Sequence, residues 1–167
     1  MISFLYVQFR KMLLNWKMSF VILCSMTLWL LMIADLASGY AFNMTDSVEG
    51  KVFEIMPGEK IERGSVVIFE RHDPILPDGV EHMTKHVLCL SGDMLTRIGL
   101  EFYCNGAFIT RAKTHTRSGN PLNVFNWPGG VVPNDMFFAA TDHPDGYDSR
   151  YFGFVPLDQA TVLERKL

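Results

Sequence analysis

The chain has 167 residues, which gives room for one domain and a short anchor, and its apolar fraction of 49% fits a globular core with a spanning segment added. The formal net charge is −3. Without Arg10, Lys11, Lys17 and Asp35, the remainder carries 12 basic and 17 acidic residues, a net charge of −5. An acidic domain of this kind argues against a nucleic-acid-binding function.

The three cysteines, Cys24, Cys89 and Cys104, lack the close spacing of a zinc ribbon or a CxxC redox motif. We therefore expect no metal site and no cofactor. Cys24 lies inside an apolar run, which leaves Cys89 and Cys104 as the pair available for a disulfide in an oxidising compartment. The sequence leaves open whether they pair. If they do, we expect them on neighbouring strands of one hairpin.

An apolar run extends for seventeen residues from Met18 to Ala34 without a charge. This length is near the lower limit for a transmembrane helix, and a uniformly apolar run has no polar face to present to water. The sequence predicts a cytoplasmic segment at residues 1–17, a single transmembrane anchor at 18–35 and a periplasmic domain at 36–167.

The orientation follows from the flanking charges. Arg10, Lys11 and Lys17 precede the run, and the next cation is Lys51, so the positive-inside rule places the N-terminus in the cytoplasm and the chain in the inner membrane. A cleavable signal peptide is the alternative, because the small residues 37–39 follow the run. The basic segment is long for a signal peptide, which favours a retained anchor.

Beyond Gly39 the pattern changes to short alternating segments separated by Gly, Pro, Asn and Asp. Segments of this kind are typical of strands joined by turns, and we expect an all-β antiparallel domain. The predicted strands are residues 52–56, 65–69, 86–90, 101–104 and 136–140.

Three blocks contain residues that could carry chemistry. Ser47 lies in a turn-prone stretch just past the apolar run, but a serine needs an adjacent base before it can attack a substrate. Lys85 comes directly before the run His86–Leu90, so a strand would carry it into the core, where burial lowers the pKa of a lysine. Asp148 and Arg150 are two apart, and on a strand they would face one side and form a charge-assisted pair.

Together these blocks resemble the serine/lysine signal peptidases (peptidase S26), and within them the TraF-like peptidases of conjugative transfer. The lysine box of that family matches residues 85–93 except at Ser91, where proline is common. The family's DSRYFG-type box matches all six residues of 148–153. The resemblance implies a signal-peptidase-like β domain with one N-terminal transmembrane helix. It also implies that Asp148, Ser149 and Arg150 support the site.

Around Ser47 the match is looser. Asn43, Thr45 and Ser47 fit the TraF-like pattern, whereas Glu49 replaces a proline. By resemblance Ser47 is the nucleophile and Lys85 its general base, while the oxyanion hole is formed by Thr45 and the Ser47 backbone N–H. A glycine at position 146 replaces the serine that usually bonds the catalytic lysine. Either another hydroxyl orients Lys85, or the tuning of its pKa is weaker.

A Ser/His/Asp triad is the rival catalytic scheme, since His143 follows Asp142 and His72 precedes Asp73. No Gly-x-Ser-x-Gly elbow accompanies either pair, which argues against the triad.

The resemblance implies a membrane-anchored serine endopeptidase that removes leader peptides from exported precursors with small residues before the cut. Conjugative pilins are the expected substrates. In some relatives the peptidase joins the ends of the cleaved pilin into a ring. The sequence does not decide between hydrolysis and cyclisation. The alternative is a peptidase-like structural module of a conjugation or secretion apparatus that has lost catalysis. Gly146 and the absence of the proline near Ser47 favour this alternative.

Overall fold

The structure is a computed structural model that describes residues 2–43, 48–76, 81–141 and 143–167, with side chains from residue 15 onward. It contains two compact units, Met1–Tyr40 and Ala41–Leu167. The first unit consists of helix α1 (Ile2–Ser38). Its section Asn15–Ser38 is long and apolar enough to cross a membrane, and its apolar side chains are exposed.

The rest of the described chain is mainly β-structure. Its strands are β1 (Tyr40–Phe42), β2 (Val52–Met56), β3 (Val66–Glu70), β4 (His82–Leu90), β5 (Met94–Ile98), β6 (Glu101–Cys104), β7 (Ala107–Arg111), β8 (Gly130–Val131), β9 (Met136–Ala140), β10 (Val155–Pro156) and β11 (Ala160–Arg165). A short helix α2 (Ser149–Phe152) and a 3-10 turn (Leu157–Gln159) precede β10 and β11 respectively.

Within the described residues the strands form two sheets. The larger has the order β1-β2-β11-β3-β4-β9-β10, and the smaller has the order β7-β6-β5-β8. The pairings from β2 onward are antiparallel. The antiparallel β fold with one N-terminal apolar helix is therefore confirmed. Three predicted strands have the bounds of β2, β6 and β9, whereas β4 begins four residues before its predicted start.

Strand β9 is buried on both faces, because two of the domain's hydrophobic clusters meet there. Phe137 and Ala139 pack with Val67 and Val87 on one face. On the other face, Phe138 and Ala140 belong to a cluster that also contains residues of the small sheet. The buried members of that second cluster are Cys89, Leu95, Phe102, Cys104, Ala112, Val132, Phe138, Ala140 and Tyr151. A strand covered on both sides needs an uninterrupted apolar sequence, which explains Met-Phe-Phe-Ala-Ala.

A disulfide joins Cys89 of β4 to Cys104 of β6, with Cα atoms 5.8 Å apart. The pairing of these cysteines, which the sequence left open, is therefore present in the structure. Their expected placement on neighbouring strands of one hairpin was wrong, because β5 intervenes and pairs with β6, so that the bridge links the two sheets. The register between β4 and β9 shifts between Val87 and Cys89, and the two residues pack in different clusters.

Candidate active site

Lys85 lies in the middle of β4, opposite Val67 of β3, and its exposed fraction is only 4%. Burial among apolar side chains lowers the pKa of its amine, because the charged form loses its hydration. The Asp148 carboxylate acts in the opposite direction and raises this pKa, and the Arg150 guanidinium lowers it again. The net direction is downward, so the neutral amine that a general base requires is favoured.

Asp148 and Arg150 form a buried ion pair beside Lys85. Arg150 Nε donates to Asp148 Oδ1 over 2.7 Å and Nη2 donates to Oδ2 over 2.6 Å, so the pair is bidentate. The expected pair is present, but the expected strand was wrong. Residues 149–152 form α2, and Asp148 is its N-cap because its side chain accepts a hydrogen bond from the Arg150 backbone N–H.

Arg150 also connects the pair to two other segments, the end of β7 and the loop at 143–146. Its guanidinium donates to the carbonyl oxygens of Arg111 at 2.9 Å, Gly146 at 2.8 Å and His143 at 3.3 Å. Five N–H donors in a planar fork can bond this many acceptors, which an ammonium group cannot do in the same geometry. Arg150 thus holds together the chain segments around Lys85.

The other residues of 148–153 have structural partners too. Ser149 Oγ accepts a hydrogen bond from the backbone of Ala139, at 3.0 Å, and so fixes α2 to β9. A Cβ atom at Gly153 would come within 2.7 Å of the Phe125 ring, and φ at Gly153 is +84°, so glycine is required there. The hydroxyl of Tyr151 accepts from the Lys113 backbone N–H at 3.0 Å. These contacts explain the box as a packing unit around the ion pair.

Ser91, the departure from the lysine box, directly follows β4 and bonds the segment that leads into β9. Its hydroxyl donates to the Pro133 carbonyl at 2.8 Å and accepts from the Met136 N–H at 3.2 Å. The following Asp93 caps the turn by accepting from the Leu90 N–H at 2.8 Å. These bonds fasten the end of β4, and with it Lys85, without the proline of the family.

Ser47 and Thr45, expected as nucleophile and oxyanion-hole residues, lie outside the described residues, in the segment 44–47. The flanks of this segment are described and bonded to each other. Asn43 Nδ2 donates to the carbonyl oxygens of Val48 at 2.8 Å and Gly50 at 3.2 Å, and its backbone N–H donates to Lys51 O at 3.0 Å. Asn43 therefore joins the two ends of the chain segment that contains Ser47.

A cleft of about 860 Å³ lies beside both blocks. Its walls include Val48, which follows Ser47, and His86, which follows Lys85. His143 and Pro144 line this cleft and also a second cavity of about 570 Å³ on the side of Tyr147 and Tyr151. The first cleft is lined by chain neighbours of Ser47 and Lys85, whereas the Lys85 side chain itself is not part of its wall.

Two histidine sites were candidates for a triad. His72 Nε2 faces Glu70 at 3.7 Å, and Asp73 accepts instead from the Tyr147 hydroxyl at 2.7 Å. Asp142 lies outside the described residues, while His143 Nδ1 accepts a hydrogen bond from the Asp145 backbone at 3.2 Å. Neither ring bonds a serine hydroxyl within the described part of the chain.

Cys89, Asp93 and Cys104 have ligand atoms close together, as in a metal site. Both sulfur atoms belong to the disulfide, however, and a thiolate rather than a disulfide is the metal ligand. This group therefore gives no metal centre.

One buried polar residue beside the ion pair was not recognised from the sequence. Thr141 directly follows β9, has an exposed fraction of 1%, and its backbone N–H donates to Asp148 Oδ2 at 3.2 Å. No sequence signal marks it, because only the folded chain brings it to the Asp148 carboxylate.

Comparison with known proteins agrees with these observations. The family described as signal peptidase, peptidase S26, matches residues 13–163. A probable conjugal transfer protein TraF of Sinorhizobium fredii is 28% identical over 82 residues, which are 49% of this chain and 43% of that protein. A solved signal peptidase I of Enterococcus faecalis V583 aligns with a TM-score of 0.40 at 21% identity, over 65% of this chain and 97% of the other. The expected similarity to TraF-like proteins is confirmed, and the chain belongs to the signal peptidase family, peptidase S26.

Proposed function

We propose that this chain is a membrane-anchored serine endopeptidase that uses Ser47 as nucleophile and Lys85 as general base. Neutral Lys85 Nζ takes the proton of the Ser47 hydroxyl while Oγ bonds the substrate carbonyl carbon. The Thr45 hydroxyl and the Ser47 N–H stabilise the oxyanion. Lys85 then gives its proton to the leaving amine as the peptide bond breaks. In the second half, Lys85 deprotonates water, and the proton returns to Ser47 when the acyl-enzyme is hydrolysed.

The burial of Lys85 is the observation that carries this proposal. A lysine on a solvated strand stays protonated near neutral pH and cannot accept a proton. Lys85 is instead enclosed in a central strand, and burial lowers the pKa of its amine. Fully buried lysines are uncommon without a charged partner or a function, and a pKa perturbed by burial and by specific charges marks a candidate site.

The cleft lined by Val48 and His86 is the proposed binding site for an extended substrate segment. By similarity to the family, the substrates are exported precursors with small residues before the cut. The match to a conjugal transfer protein makes a pilin-like precursor the specific candidate. Cyclisation needs only that a substrate amine replaces water in attacking the acyl-enzyme.

We place the peptidase domain at residues 36–167, outside the cytoplasm, and the anchor at 18–35. The disulfide between Cys89 and Cys104 supports an oxidising compartment such as the periplasm. The cations before the apolar run support a cytoplasmic N-terminus.

The test uses the full chain in detergent micelles and a library of internally quenched peptides with alanine at the positions before the cut. Ser47→Ala and Lys85→Arg should each abolish cleavage, since arginine keeps the charge but does not deprotonate near neutral pH. The double variant should be no worse than either single one, because the two groups act as one unit.

Matched controls are Lys60→Arg, on a lysine whose side chain is 85% exposed, and Ser65→Ala, on a serine in a surface turn. Both should cleave like the parent. If Lys85→Arg cleaves normally while Ser47→Ala is inactive, the base is another residue, with His143 tested next. If the parent is no faster than Ser47→Ala, the structural module without catalysis becomes the correct description.

A further inference from the structure

We infer that the Thr141 hydroxyl orients the Lys85 amine, which makes Thr141 a positioning residue of the active site. The inference rests on the proposed function, because orientation matters only if Lys85 is the base. Three features of the structure lead to it: the register of two strands, the space at Gly146 and the hydrogen bonds of Thr141.

The strand register places Thr141 across from Lys85. In the pairing of β4 with β9, Val87 is opposite Ala139 and His86 is opposite Ala140. One further step along both strands brings Lys85 opposite Thr141. Residues directly opposite in an antiparallel pair project to the same face, with Cβ atoms about 4.5–5.5 Å apart. Lys85 and Thr141 are both buried there, with exposed fractions of 4% and 1%.

The Thr141 hydroxyl also occupies the space of a side chain at position 146. A Cβ atom built on Gly146 would lie 2.3 Å from Thr141 Oγ1, 3.1 Å from Arg150 Nη2 and 3.3 Å from Asp148 Oδ2. A side chain at 146 and the Thr141 hydroxyl in its present rotamer therefore compete for the same space. In this chain, with glycine at 146, the Thr141 hydroxyl occupies that space.

The hydrogen bonds of Thr141 set the direction of its contact with the amine. Its Oγ1 donates its proton to the His143 carbonyl at 3.4 Å. The hydroxyl lone pairs then remain to accept an N–H from Lys85. A neutral amine that donates one hydrogen to Thr141 has its own lone pair fixed in direction, as proton abstraction from Ser47 requires.

The first test compares Thr141→Val with Thr141→Ser in the full chain, using the same peptide library and the Ser47→Ala variant as the inactive reference. Valine has the shape of threonine without the hydroxyl, so kcat should fall about 100-fold with little change in KM, because the base is misplaced. Serine restores the acceptor and should retain kcat within about threefold of the parent.

The same variants give a readout that a merely structural role would not move. Loss of an acceptor for the Lys85 ammonium destabilises the charged form, so Thr141→Val should lower the pKa of Lys85 further. Titration of 13Cε-labelled lysine by NMR, with Lys85→Arg to assign the signal, measures this shift without reference to activity. Thr141→Ser should titrate like the parent.

A hydroxyl exchange provides the sharpest test. Gly146→Ser alone should lose both activity and stability, because its Cβ meets Thr141 Oγ1. In Thr141→Ala/Gly146→Ser the hydroxyl moves to the other side of the same space, and activity should exceed that of Thr141→Ala at least tenfold.

Parental kcat and an unchanged Lys85 titration in Thr141→Val would overturn the inference and leave the proposed function intact. Failure of the exchange to improve on Thr141→Ala, in a double variant that keeps the parental unfolding temperature, would also overturn it. A parent no faster than Ser47→Ala would overturn the proposed function itself, and the inference with it.

Discussion

The buried amine of Lys85 makes the stability of the protein depend on pH in a defined direction. Its pKa in the folded state lies below the ordinary 10.5, so between the two values the unfolded chain binds more protons and stability rises with pH. We expect Lys85→Met to raise the unfolding temperature near neutral pH, and the gain to shrink as pH approaches 10.5. Thermal unfolding across this range checks the prediction, with Lys60→Met as the exposed control. A gain independent of pH would contradict it.

Arg150 has a structural role that its contacts allow us to quantify. Arg150→Ala leaves the Asp148 carboxylate buried without its partner, which costs about 3–5 kcal/mol in the free energy of unfolding. Arg150→Lys should recover only a part, because an ammonium cannot reproduce the bidentate contact. Urea denaturation measures both.

Arg117 is the control, since its side chain is 76% exposed and pairs with Asp145 at the surface. Arg117→Ala should change the free energy of unfolding by less than about 1 kcal/mol. An Arg150→Ala variant that is as stable as the parent yet lacks all turnover would show that Arg150 takes part directly in the reaction.

The sequence predicted those properties of the proposed site residues that depend on local chemistry. Lys85 precedes an apolar run, and Asp148 and Arg150 are two apart, so burial and an ion pair could be predicted from the chain itself. The role that we propose for Thr141 could not be predicted in this way, because it depends on which residue of β4 lies opposite Thr141. Strand register depends on pairing between distant segments and not on local sequence.

At the level of elements, the sequence predicted the strands with continuous apolar character and missed others, including β5 and β7. Strands β5 and β7 carry exposed apolar residues beside polar ones, including Ile98 and Phe108, and their alternation is imperfect. Helix α2 has four residues, too few for a helical period to be visible. Its signal was the N-cap residue Asp148, which we interpreted as part of a strand.

The disulfide is the element-level feature with the largest expected effect on stability. It closes a loop with a sequence separation of 15, and such a loop restricts the unfolded chain by about 3 kcal/mol. The variant Cys89→Ala/Cys104→Ala should lose about this amount in urea denaturation. The parent under reducing conditions should lose a similar amount, whereas Cys24→Ala should match the parent. A double variant as stable as the oxidised parent would contradict the entropic account.

At the level of the whole molecule, an apolar helix that can span a membrane precedes a domain with a disulfide. Cytosolic thiols are kept reduced, so the bridge supports the proposed placement of the domain outside the cytoplasm. The charge asymmetry of the flanks points to the same orientation, since three cations precede the apolar run and Asp35 ends it. Two independent features of the chain therefore support the proposed topology.

This topology predicts the behaviour of reporters fused after Leu167. A reporter that is active only after export should be active, and one that is active only in the cytoplasm should be silent. Replacing Arg10, Lys11 and Lys17 with glutamine should lower the exported signal, because these residues supply the flanking asymmetry.

The matched control removes three cations from beyond the span, at Lys51, Lys60 and Arg63, and should leave the exported signal unchanged or slightly higher. Positive charge in a segment that has to cross the membrane opposes its transfer, whereas the same charge before the span retains the N-terminus. Cytoplasmic activity of the parent fusion would reverse the topology and would require another source of oxidation for the bridge between Cys89 and Cys104.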